Sequence, residues 1–463
     1  MYDLLVIGSG PGGYVAAVRG AQLGMTTAIV ERAELGGVCL NWGCIPTKAL
    51  LKSAQVWQYV QHAADYGVAF DGGAAKPDLA RMVARSRDVA ESMAKGVAYL
   101  LKKNNVAVWQ GSACLRADKS VEITDGGGAV QCIAARHTVI ATGARAAALP
   151  FAPIDGKKII GYRAALAPDR IPASMAIVGS GAIGSELAWF YHALGTQVHL
   201  IEALDRIVPL EDEEVSAQLS RSFRKAGIKV STSALVQHID TSGEGCRLQL
   251  RTKKGDECLT ADMVLSAVGV VPNIEGLGLD ALGVETGKRG IQVNERFQTN
   301  VDGVYAIGDV IATPALAHVA SAEAVHCVER IAGLDAPAVD YRNIPSCIYT
   351  TPEIASVGLT EKAAREQGFE VRVGKFPFTA SGKAATAGER DGFVKLVFDA
   401  ASDALLGAHL VGANVSEMIA GITTARRLGV TAHDIIHAVH PHPSMSEAIM
   451  EAAAAAHGEA IHL

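Results

Sequence analysis

The feature that most constrains this chain is an internal repeat of a glycine-rich segment. Residues 3–31 read DLLVIGSGPGGYVAAVRGAQLGMTTAIVE, and residues 174–202 read SMAIVGSGAIGSELAWFYHALGTQVHLIE. Five positions match at a constant separation of 171 residues: Gly8 with Gly179, Gly10 with Gly181, Gly13 with Gly184, Gly24 with Gly195, and Glu31 with Glu202. Each copy predicts a strand, a glycine turn, a helix and a second strand. The repeat therefore predicts two doubly wound α/β domains.

The glycine spacing has a chemical meaning. In such units one glycine allows a tight turn, one lets the backbone approach a diphosphate, and one brings helix and strand together. The helix N-terminus then presents free N–H groups to the diphosphate, and an acid at the end of the second strand binds a ribose. One such motif alone could be a plain glycine turn, but two complete units predict two dinucleotide sites. Because the carboxylate of Glu202 would repel a 2′-phosphate, the second site is predicted to take NAD.

Three further strand ends indicate where the chain returns to these domains. Ala141-Thr142-Gly143 closes an apolar strand at residues 138–140, and residues 267–269 close another at residues 263–266. Residues 304–309, VYAIGD, read as a strand that ends in Gly-Asp before a helix. Asp309 could be an ordinary helix cap. In a chain with two dinucleotide folds, we favour a contact with the ribityl chain of a flavin.

Composition excludes several classes of protein. The chain has 463 residues, a net charge of −6 and no run of Lys or Arg, so a nucleic-acid partner has no electrostatic support. No apolar stretch reaches membrane-spanning length, and the N-terminus lacks signal-peptide features, so a cytoplasmic protein is expected. No Cys/His grouping has zinc-site spacing, so no metal site is predicted. Six scattered cysteines are expected to be buried apolar side chains: Cys114, Cys132, Cys246, Cys258, Cys327 and Cys347.

The other two cysteines stand close together in the segment GGVCLNWGCIPTK, residues 36–48. Five steps along a regular helix climb about 7.5 Å, which exceeds the ordinary reach of a disulfide. A bond between Cys39 and Cys44 would therefore require a distorted helix, which Asn41 and Gly43 would help to form. Two ordinary buried cysteines are the alternative. The flanking glycines and Lys48 favour a redox pair, since a cytosolic disulfide is usually catalytic.

This segment resembles the redox-active segment of the pyridine nucleotide–disulfide oxidoreductases, and its form CLNxGCIP is closest to the dihydrolipoyl dehydrogenases. The resemblance spans the chain and includes ATGAR (141–145), GSGAIGSE (179–186), YAIGD (305–309), LAHVASAE (316–323), IPSCIYTTPEIASVGLTE (344–361) and HPHPSMSEAIMEAA (440–453). It implies an α/β fold with two Rossmann-like domains and a C-terminal α/β dimerisation domain. The expected divisions are an FAD-binding domain (1–144), an NAD-binding domain (145–267), a central region returning to the FAD domain (268–337) and an interface domain (338–463).

The resemblance also implies roles for individual residues. Cys39 would exchange with the dithiol substrate, and Cys44 would lie against the flavin as the charge-transfer thiolate. Lys48 would sit near the isoalloxazine and pair with Glu186. One tightly bound FAD per subunit would be lined by Gly8, Gly10, Pro11, Gly12, Gly13, Glu31, Gly37, Val38, Cys39, Lys48, Gly111, Ala141, Thr142, Gly143, Asp309, Ala317 and His318. NAD⁺ or NADH would be lined by Gly179, Gly181, Ile183, Gly184, Glu186, Glu202, Val236 and Gly269.

An acid–base pair is expected near the C-terminus, in HPHPSMSE. Ser444 and Glu447 have the spacing of a helix capping box. Glu447 could instead orient His442, as carboxylates do for catalytic imidazoles, and one glutamate can do both. Dithiol oxidation needs a base that titrates near neutral pH, which suits histidine. By resemblance His442 is this base and His440 is not, and the pair would serve the other subunit of a homodimer.

The expected activity is oxidation of protein-bound dihydrolipoamide to lipoamide with reduction of NAD⁺, within a 2-oxoacid or acetoin dehydrogenase complex. The lipoyl domain of an acyltransferase, carried on a separate chain, would be the partner, with no nucleic acid or membrane involved. A related NAD(P)H-dependent reductase of another acceptor is the alternative. A flavin-binding scaffold without turnover is a weaker one, because the Cys39, Cys44 and His442 set is intact. Val270 and Val319 replace the Arg and Lys common in relatives, and HPHPS replaces HAHPT.

Overall fold

The structure, a computed structural model, describes residues 1–69 and 75–463. Its first stretch contains β1 (Tyr2–Ile7), α1 (Pro11–Gln22), β2 (Thr27–Glu31), α2 (Gly37–Trp42), α3 (Cys44–Gln61), α4 (Leu79–Lys103), β3 (Ala107–Gln110), β4 (Ser112–Leu115), β5 (Val121–Thr124), β6 (Val130–Ile133) and β7 (Ala135–Ile140). The second contains β8 (Ala144–Ala146), β9 (Ile159–Ile160), α5 (Tyr162–Leu166), β10 (Ser174–Val178), α6 (Ala182–Ala193), β11 (Gln197–Ile201), α7 (Glu213–Ala226), β12 (Lys229–Ser231), β13 (Leu235–Asp240), β14 (Cys246–Thr252), β15 (Gly255–Ala261) and β16 (Met263–Ser266).

The remaining elements complete the first unit and build the C-terminal one. The linking stretch contains β17 (Val270–Pro272), α8 (Leu279–Leu282), β18 (Thr286–Gly287), β19 (Gly290–Ile291), β20 (Val304–Ala306) and α9 (Ala317–Ile331). The C-terminal stretch contains β21 (Ser346–Ile348), β22 (Glu353–Gly358), α10 (Glu361–Glu366), β23 (Val371–Pro377), α11 (Gly382–Ala387), β24 (Phe393–Asp399), β25 (Leu405–Gly412), α12 (Val415–Arg427), α13 (Ala432–His437) and α14 (Glu447–Ala456).

The internal repeat extends well beyond its glycine turns. The first sheet has the order β20-β7-β1-β2-β3 and the second β12-β11-β10-β16-β9, and every pairing in both is parallel. Each unit also carries an antiparallel three-stranded sheet, β4-β5-β6 in the first and β13-β14-β15 in the second. Because strands of a parallel sheet are covered on both faces, β1 and β10 are almost continuously apolar. Two doubly wound domains are therefore confirmed.

The glycines act identically in the two turns. Gly8 and Gly179 both have φ +98°, where a Cβ would lie 2.4 Å from the carbonyl oxygen of Ala141 and 2.3 Å from that of Ala267, respectively. A Cβ on Gly13 or Gly184 would lie 1.9 Å from the carbonyl oxygen of the first glycine of its own turn. Larger residues would force the helix away from its strand at both places.

The chain returns to the first unit after completing the second. β20 pairs with β7 in the first sheet, and α9 packs against α1. β8 and β17 form an antiparallel pair that joins the two units. The division at residues 144, 267 and 337, with a central region that returns to the FAD domain, stays a prediction.

The C-terminal unit is an antiparallel sheet, β21-β22-β25-β24-β23, packed against helices. It contacts the second unit through a buried cation. Lys395, with its side chain 3% exposed, lies 3.1 Å from both Asp212 oxygens, 2.9 Å from Glu214 and 2.9 Å from Glu361. The last helix, α14, begins at Glu447 directly after Ser446.

Candidate active site

The two close cysteines form a disulfide at a break between two helices. Cys39 lies in α2 and Cys44 begins α3, and their Cα atoms are 4.8 Å apart. Gly43 interrupts the helix with φ −144° and ψ −115°, and a Cβ there would press on the backbone of Cys39 at 3.3 Å. The Asn41 amide donates to the carbonyl groups of Leu35 (2.9 Å) and Gly37 (3.0 Å), which holds the shortened turn. The expected distortion by Asn41 and Gly43 is present.

A lysine and a glutamate meet behind the disulfide. Lys48 Nζ donates to Glu186 Oε2 at 2.9 Å and to Oε1 at 3.0 Å, and the Glu186 side chain is 4% exposed. Glu186 also accepts the Tyr349 N–H at 3.0 Å, and the ammonium lies 4.4 Å from the centroid of the Tyr349 ring. A buried carboxylate such as that of Glu186 needs donors like Lys48 Nζ and the Tyr349 N–H. The Lys48–Glu186 pair therefore holds the ammonium group between the two repeat units and the C-terminal sheet.

One large cavity connects these groups. It has a volume of about 950 Å³ and reaches from the first glycine turn past the disulfide to α6. Predicted site residues that line it are Gly8, Gly10, Pro11, Gly12, Glu31, Gly37, Val38, Cys39, Cys44, Lys48, Gly111, Ala141, Thr142, Gly143, Ile183, Glu186, Asp309 and Ala317. Gly13 lies beneath the turn against Gly8, and His318 turns away, with Nε2 2.8 Å from the Pro345 carbonyl oxygen.

The two repeat acids occupy equivalent positions. Glu31 accepts from Ser9 N (2.9 Å), Ser9 Oγ (2.6 Å) and Ala33 N (2.9 Å). Glu202 accepts from Ser180 N (3.0 Å), Ser180 Oγ (2.7 Å) and Leu204 N (2.9 Å). Each carboxylate is thus oriented at the carboxyl end of its sheet, where a ribose would be bound.

Asp309 is a cavity-lining carboxylate whose hydrogen-bond acceptors are unused in the described part of the chain. It lines the cavity, and within residues 1–69 and 75–463 no group donates a hydrogen bond to it. Burial, together with the nearby Glu323, raises the pKa of Asp309 to about 6. The site therefore fits a hydroxylated ligand that supplies hydrogen-bond donors here, as the ribityl chain of FAD would.

The space around the glycine turns fits dinucleotides as well. A Cβ on Gly10 or Gly181 would meet nothing within 4 Å, so the turn leaves open room for a diphosphate against the backbone. Gly37 closes the first turn from the other side, since a Cβ on it would lie 2.7 Å from the Gly10 Cα. Outside the cavity, the predicted NAD residues Gly179, Gly181 and Gly184 lie at the turn after β10, Glu202 follows β11, and Gly269 lies after β16. The sixth predicted residue, Val236, lies in β13 and is buried in the core of the second unit.

The predicted acid–base pair near the C-terminus, His442 and Glu447, is hydrogen-bonded but lies outside this cavity. His442 Nδ1 lies 2.8 Å from Glu447 Oε1, and Glu447 Oε2 accepts the Ser444 N–H at 2.7 Å. Glu447 thus orients the histidine and accepts the Ser444 N–H, but the two residues do not form the capping box that their spacing allowed, because Ser446 precedes the helix and the Ser444 hydroxyl has no partner. Burial alone would raise the pKa of Glu447, but the hydrogen bonds from the Ser444 N–H and from His442 outweigh burial and lower this pKa. The His442 side chain is 78% exposed, and neither residue lines the cavity of its own chain.

The structure places three residues at the site to which the sequence assigned no defined role there. Cys347 lines the cavity, and burial, with Glu353 and Glu211, raises the pKa of its thiol to about 11. Trp42, beside the disulfide, stacks with the Arg87 and Arg163 guanidinium groups at 4.0 and 5.1 Å. The sequence predicted Cys347 only as a buried apolar side chain, and Tyr349 stood only within the segment IPSCIYTTPE, without a role of its own.

The expectation that all six other cysteines are buried was wrong in part. None of them is disulfide-bonded, and Cys246 and Cys327 are buried, but Cys132 and Cys258 are exposed on the antiparallel strands β6 and β15. Alternate side chains of a strand point to opposite faces, so an outward position at a sheet edge exposes even a cysteine.

A redox disulfide between two dinucleotide-binding units defines a flavoprotein disulfide oxidoreductase. Residues 2–324 match the family model described as pyridine nucleotide-disulphide oxidoreductase, and residues 344–453 match its dimerisation domain. The chain belongs to the pyridine nucleotide–disulphide oxidoreductase family. Membership gives it FAD and NAD(H) as cofactors, and the dimerisation domain supports a homodimer.

Similar proteins cover the chain from end to end. It is 47% identical to a dihydrolipoyl dehydrogenase of Zymomonas mobilis, over 100% of this chain and 99% of the relative. It is 48% identical to a dihydrolipoyl dehydrogenase of Chlorobaculum tepidum, over 98% and 96%. The crystal structure of LpdA from Mycobacterium tuberculosis superposes with a TM-score of 0.90 at 26% identity, over 97% and 98%. In residues 1–69 and 75–463, no helix has the length and apolar character to cross a membrane.

Proposed function

We propose that this protein oxidises protein-bound dihydrolipoamide to lipoamide and reduces NAD⁺ to NADH, as the lipoamide dehydrogenase component of a 2-oxoacid or acetoin dehydrogenase complex. The observation that carries the proposal is the Cys39–Cys44 disulfide on the wall of the cavity, with the Lys48–Glu186 pair behind it. Relatives named dihydrolipoyl dehydrogenase along the whole chain support this substrate over other disulfides.

The chemistry begins at the outer sulfur. A substrate thiolate attacks Cys39 Sγ, which breaks the Cys39–Cys44 bond and leaves Cys44 as a thiolate. The second substrate thiol loses its proton to His442 and attacks the mixed disulfide, which releases lipoamide and Cys39. FAD, when bound beside Cys44, supplies the two-electron relay to NAD⁺. Two electrons leave the dithiol, NAD⁺ receives a hydride equivalent, and one proton passes to solvent.

Three groups of residues prepare these reaction steps. Glu447, oriented by Ser444, holds His442 by its Nδ1 and leaves Nε2 to take the proton. Lys48 would place positive charge beside the flavin and Cys44, and Glu186 keeps the lysine in position. Asp309 and Glu31 would hold the ribityl and ribose hydroxyls of FAD, and Glu202 those of NAD⁺.

The defining experiment compares substrates on the FAD-loaded protein. NADH formation is measured with dihydrolipoamide on an isolated lipoyl domain, with free dihydrolipoamide and with reduced glutathione. We expect turnover with both lipoyl substrates and none with glutathione. Activity restricted to another dithiol would contradict the proposed substrate, and Cys44→Ser should abolish NAD⁺ reduction in either case.

The proposed homodimer site can be tested by subunit mixing. Cys44→Ser and His442→Gln should each lose activity, the latter by about 10²–10⁴-fold, the usual contribution of a general base. If His442 serves the disulfide of the other subunit, a mixed dimer contains one intact site, and random reassociation restores about a quarter of wild-type activity. If the mixed dimers recover no activity, His442 acts on the disulfide of its own chain.

We further propose a cytoplasmic location, which the unpaired state of the six other cysteines supports. Fractionation of the source cells should find the protein and its lipoyl partner together in the cytoplasm; recovery from an oxidising compartment would contradict this.

A further inference from the structure

A second group of chemically reactive side chains lies in the C-terminal unit. α13 (Ala432–His437) and α14 (Glu447–Ala456) flank the loop at residues 438–446 that carries His442. His433 stands in the first turn of α13, and His457 directly follows α14. Asp403, in the turn between β24 and β25, lies between the two histidines. The group, which we call the Asp403 cluster, therefore joins both ends of the hairpin to the sheet.

The side chains of the cluster converge on one carboxylate. His433 Nδ1 lies 2.9 Å from Asp403 Oδ2, and His457 Nε2 lies 2.8 Å from Asp403 Oδ1. The three donor atoms lie within 4.8 Å of one another, and the imidazole centroids are 4.6 Å apart. Burial alone would raise the pKa of Asp403, but the hydrogen bonds from both histidines outweigh burial and lower this pKa.

Backbone contacts hold the three residues in place. Asp403 has φ +62°, a left-handed turn conformation, and its carbonyl oxygen accepts the Ala432 N–H at 3.1 Å. Thr431 and Asp434 form a complete capping box that fixes the start of α13 beside it. The donor atoms are thus positioned by two helix ends and a tight turn, and the cluster is organised without a ligand.

Two imidazoles and one carboxylate are a typical ligand set for zinc. Bonds of about 2.0–2.1 Å at tetrahedral angles place ligand atoms about 3.3 Å apart, so the 2.8 and 2.9 Å contacts must open by about 0.5 Å. The His457 and Asp403 side chains are 13% and 17% exposed, whereas His433 is 54% exposed. One side of the cluster is therefore open to an entering ion and to a water as fourth ligand.

One nearby charge opposes a cation. Arg372 Nη1 lies 3.8 Å from Asp403 Oδ1, with its side chain 43% exposed. The carboxylate of Asp434 is near enough to Asp403 to interact with it and would favour a cation. A long, exposed guanidinium can swing into solvent when an ion enters, because such surface pairs contribute only about 0–1 kcal/mol. The competing explanation is a hydrogen-bonded triad that binds no ion.

We infer that Asp403, His433 and His457 form a binding site for Zn²⁺ or a similar borderline divalent cation, completed by water. The site is separate from the redox centre, since the ten residues of α14 place His457 about 15 Å along the helix from Glu447. A bound ion would clamp both ends of the hairpin whose loop carries His442.

The test uses the FAD-loaded dimer without an affinity tag, with the Cys39–Cys44 disulfide oxidised so that its sulfurs are not available as ligands. Zn²⁺ is titrated against a chromogenic chelator, and the visible spectrum is followed after Co²⁺ addition. The variants are His433→Gln, His457→Gln and Asp403→Asn. His437→Gln is the control on the same helix. The His437 ring stacks on that of His433 at 6.3 Å and its Nδ1 lies 2.7 Å from the His433 carbonyl oxygen, but it contributes no ligand atom to the cluster.

We expect one Zn²⁺ per chain in the wild type and in the His437→Gln control. Each cluster variant should bind at least about tenfold more weakly, and Zn²⁺ should no longer raise its melting temperature. The tetrahedral Co²⁺ bands should disappear in the same three variants. The inference is overturned if the wild type takes up no stoichiometric Zn²⁺ at large excess, or if the three variants bind it as the wild type does.

Discussion

A methyl group added to the third glycine of the second turn should disable NAD⁺ binding while leaving FAD in place. In the structure, a Cβ on Gly184 would lie 1.9 Å from the Gly179 carbonyl oxygen, and ordinary contact begins at 3.4 Å. The start of α6 must therefore retreat by about 3.4 − 1.9 = 1.5 Å. The N–H groups that face the diphosphate move with it, and such a displacement opens hydrogen bonds of normal length.

The expected magnitude follows from this displacement. Misplacing a binding group by about 1 Å costs on the order of 10²-fold, so kcat/KM for NAD⁺ should fall by about that factor in Gly184→Ala. Overpacking should also lower the free energy of unfolding by about 1–3 kcal/mol. The assay is steady-state NADH formation at saturating dihydrolipoamide, with FAD content measured from the flavin absorbance of the same sample.

Two further variants make the result interpretable. Gly13→Ala makes the same 1.9 Å contact in the first turn, with the Gly8 carbonyl oxygen, and should lose FAD instead. Gly96→Ala, where a Cβ in α4 meets nothing within 4 Å, should leave both cofactors unaffected. A wild-type kcat/KM for NAD⁺ in Gly184→Ala would refute the reasoning, as would loss of FAD from that variant.

Three other perturbations have defined outcomes. Lys395→Met removes the cation from a buried cluster of carboxylates and should lower the free energy of unfolding by about 3–5 kcal/mol in urea, whereas the more exposed Lys375→Met should lower it by less than about 1 kcal/mol. Glu202→Gln should reduce kcat/KM for NAD⁺ by about 10–100-fold, because a hydrogen bond to a charged group contributes about that factor. It should also narrow the preference for NAD⁺ over NADP⁺, and an unchanged preference would contradict the role of Glu202. Because the folded pKa of Asp309 is raised from 3.8 to about 6, the FAD-free protein should lose up to about 3 kcal/mol of stability as pH rises from about 4 to 6. Asp309→Asn should remove that loss, and an unchanged pH profile of urea unfolding would count against it.

Local rules made the nucleotide-binding units predictable. A positive φ at Gly8 and Gly179, and a helix packed directly on a strand at Gly13 and Gly184, are conditions that only glycine meets. Each acid follows its glycine turn at a fixed distance, so the pairing of Glu31 with Ser9 repeats in the second unit. Covalent spacing along one βαβ unit determines all of these contacts.

The disulfide was predictable only in part. The segment allowed either a bonded pair or two separate cysteines, because a spacing of five fits no regular element. The structure decides it by ending α2 at Trp42 and restarting at Cys44, which shortens the Cα–Cα distance to 4.8 Å. Asn41, near the end of α2, supports that break because its side-chain amide donates to the carbonyl groups of Leu35 and Gly37.

The sequence by itself determined the two dinucleotide folds, the positions of their glycines and acids, and the identity of the redox and acid–base residues as candidates. The resemblance implied a Lys48–Glu186 pair and a His442 that serves the other subunit, but only the tertiary structure shows the lysine–glutamate contact across 138 residues and the exposure of His442 outside its own cavity. The contact of Asp403 with His433 and His457 had no signal in the sequence analysis and appears only in the tertiary structure. The physical reason is that short-range rules act along one element, whereas contacts between elements depend on how whole sheets and helices pack.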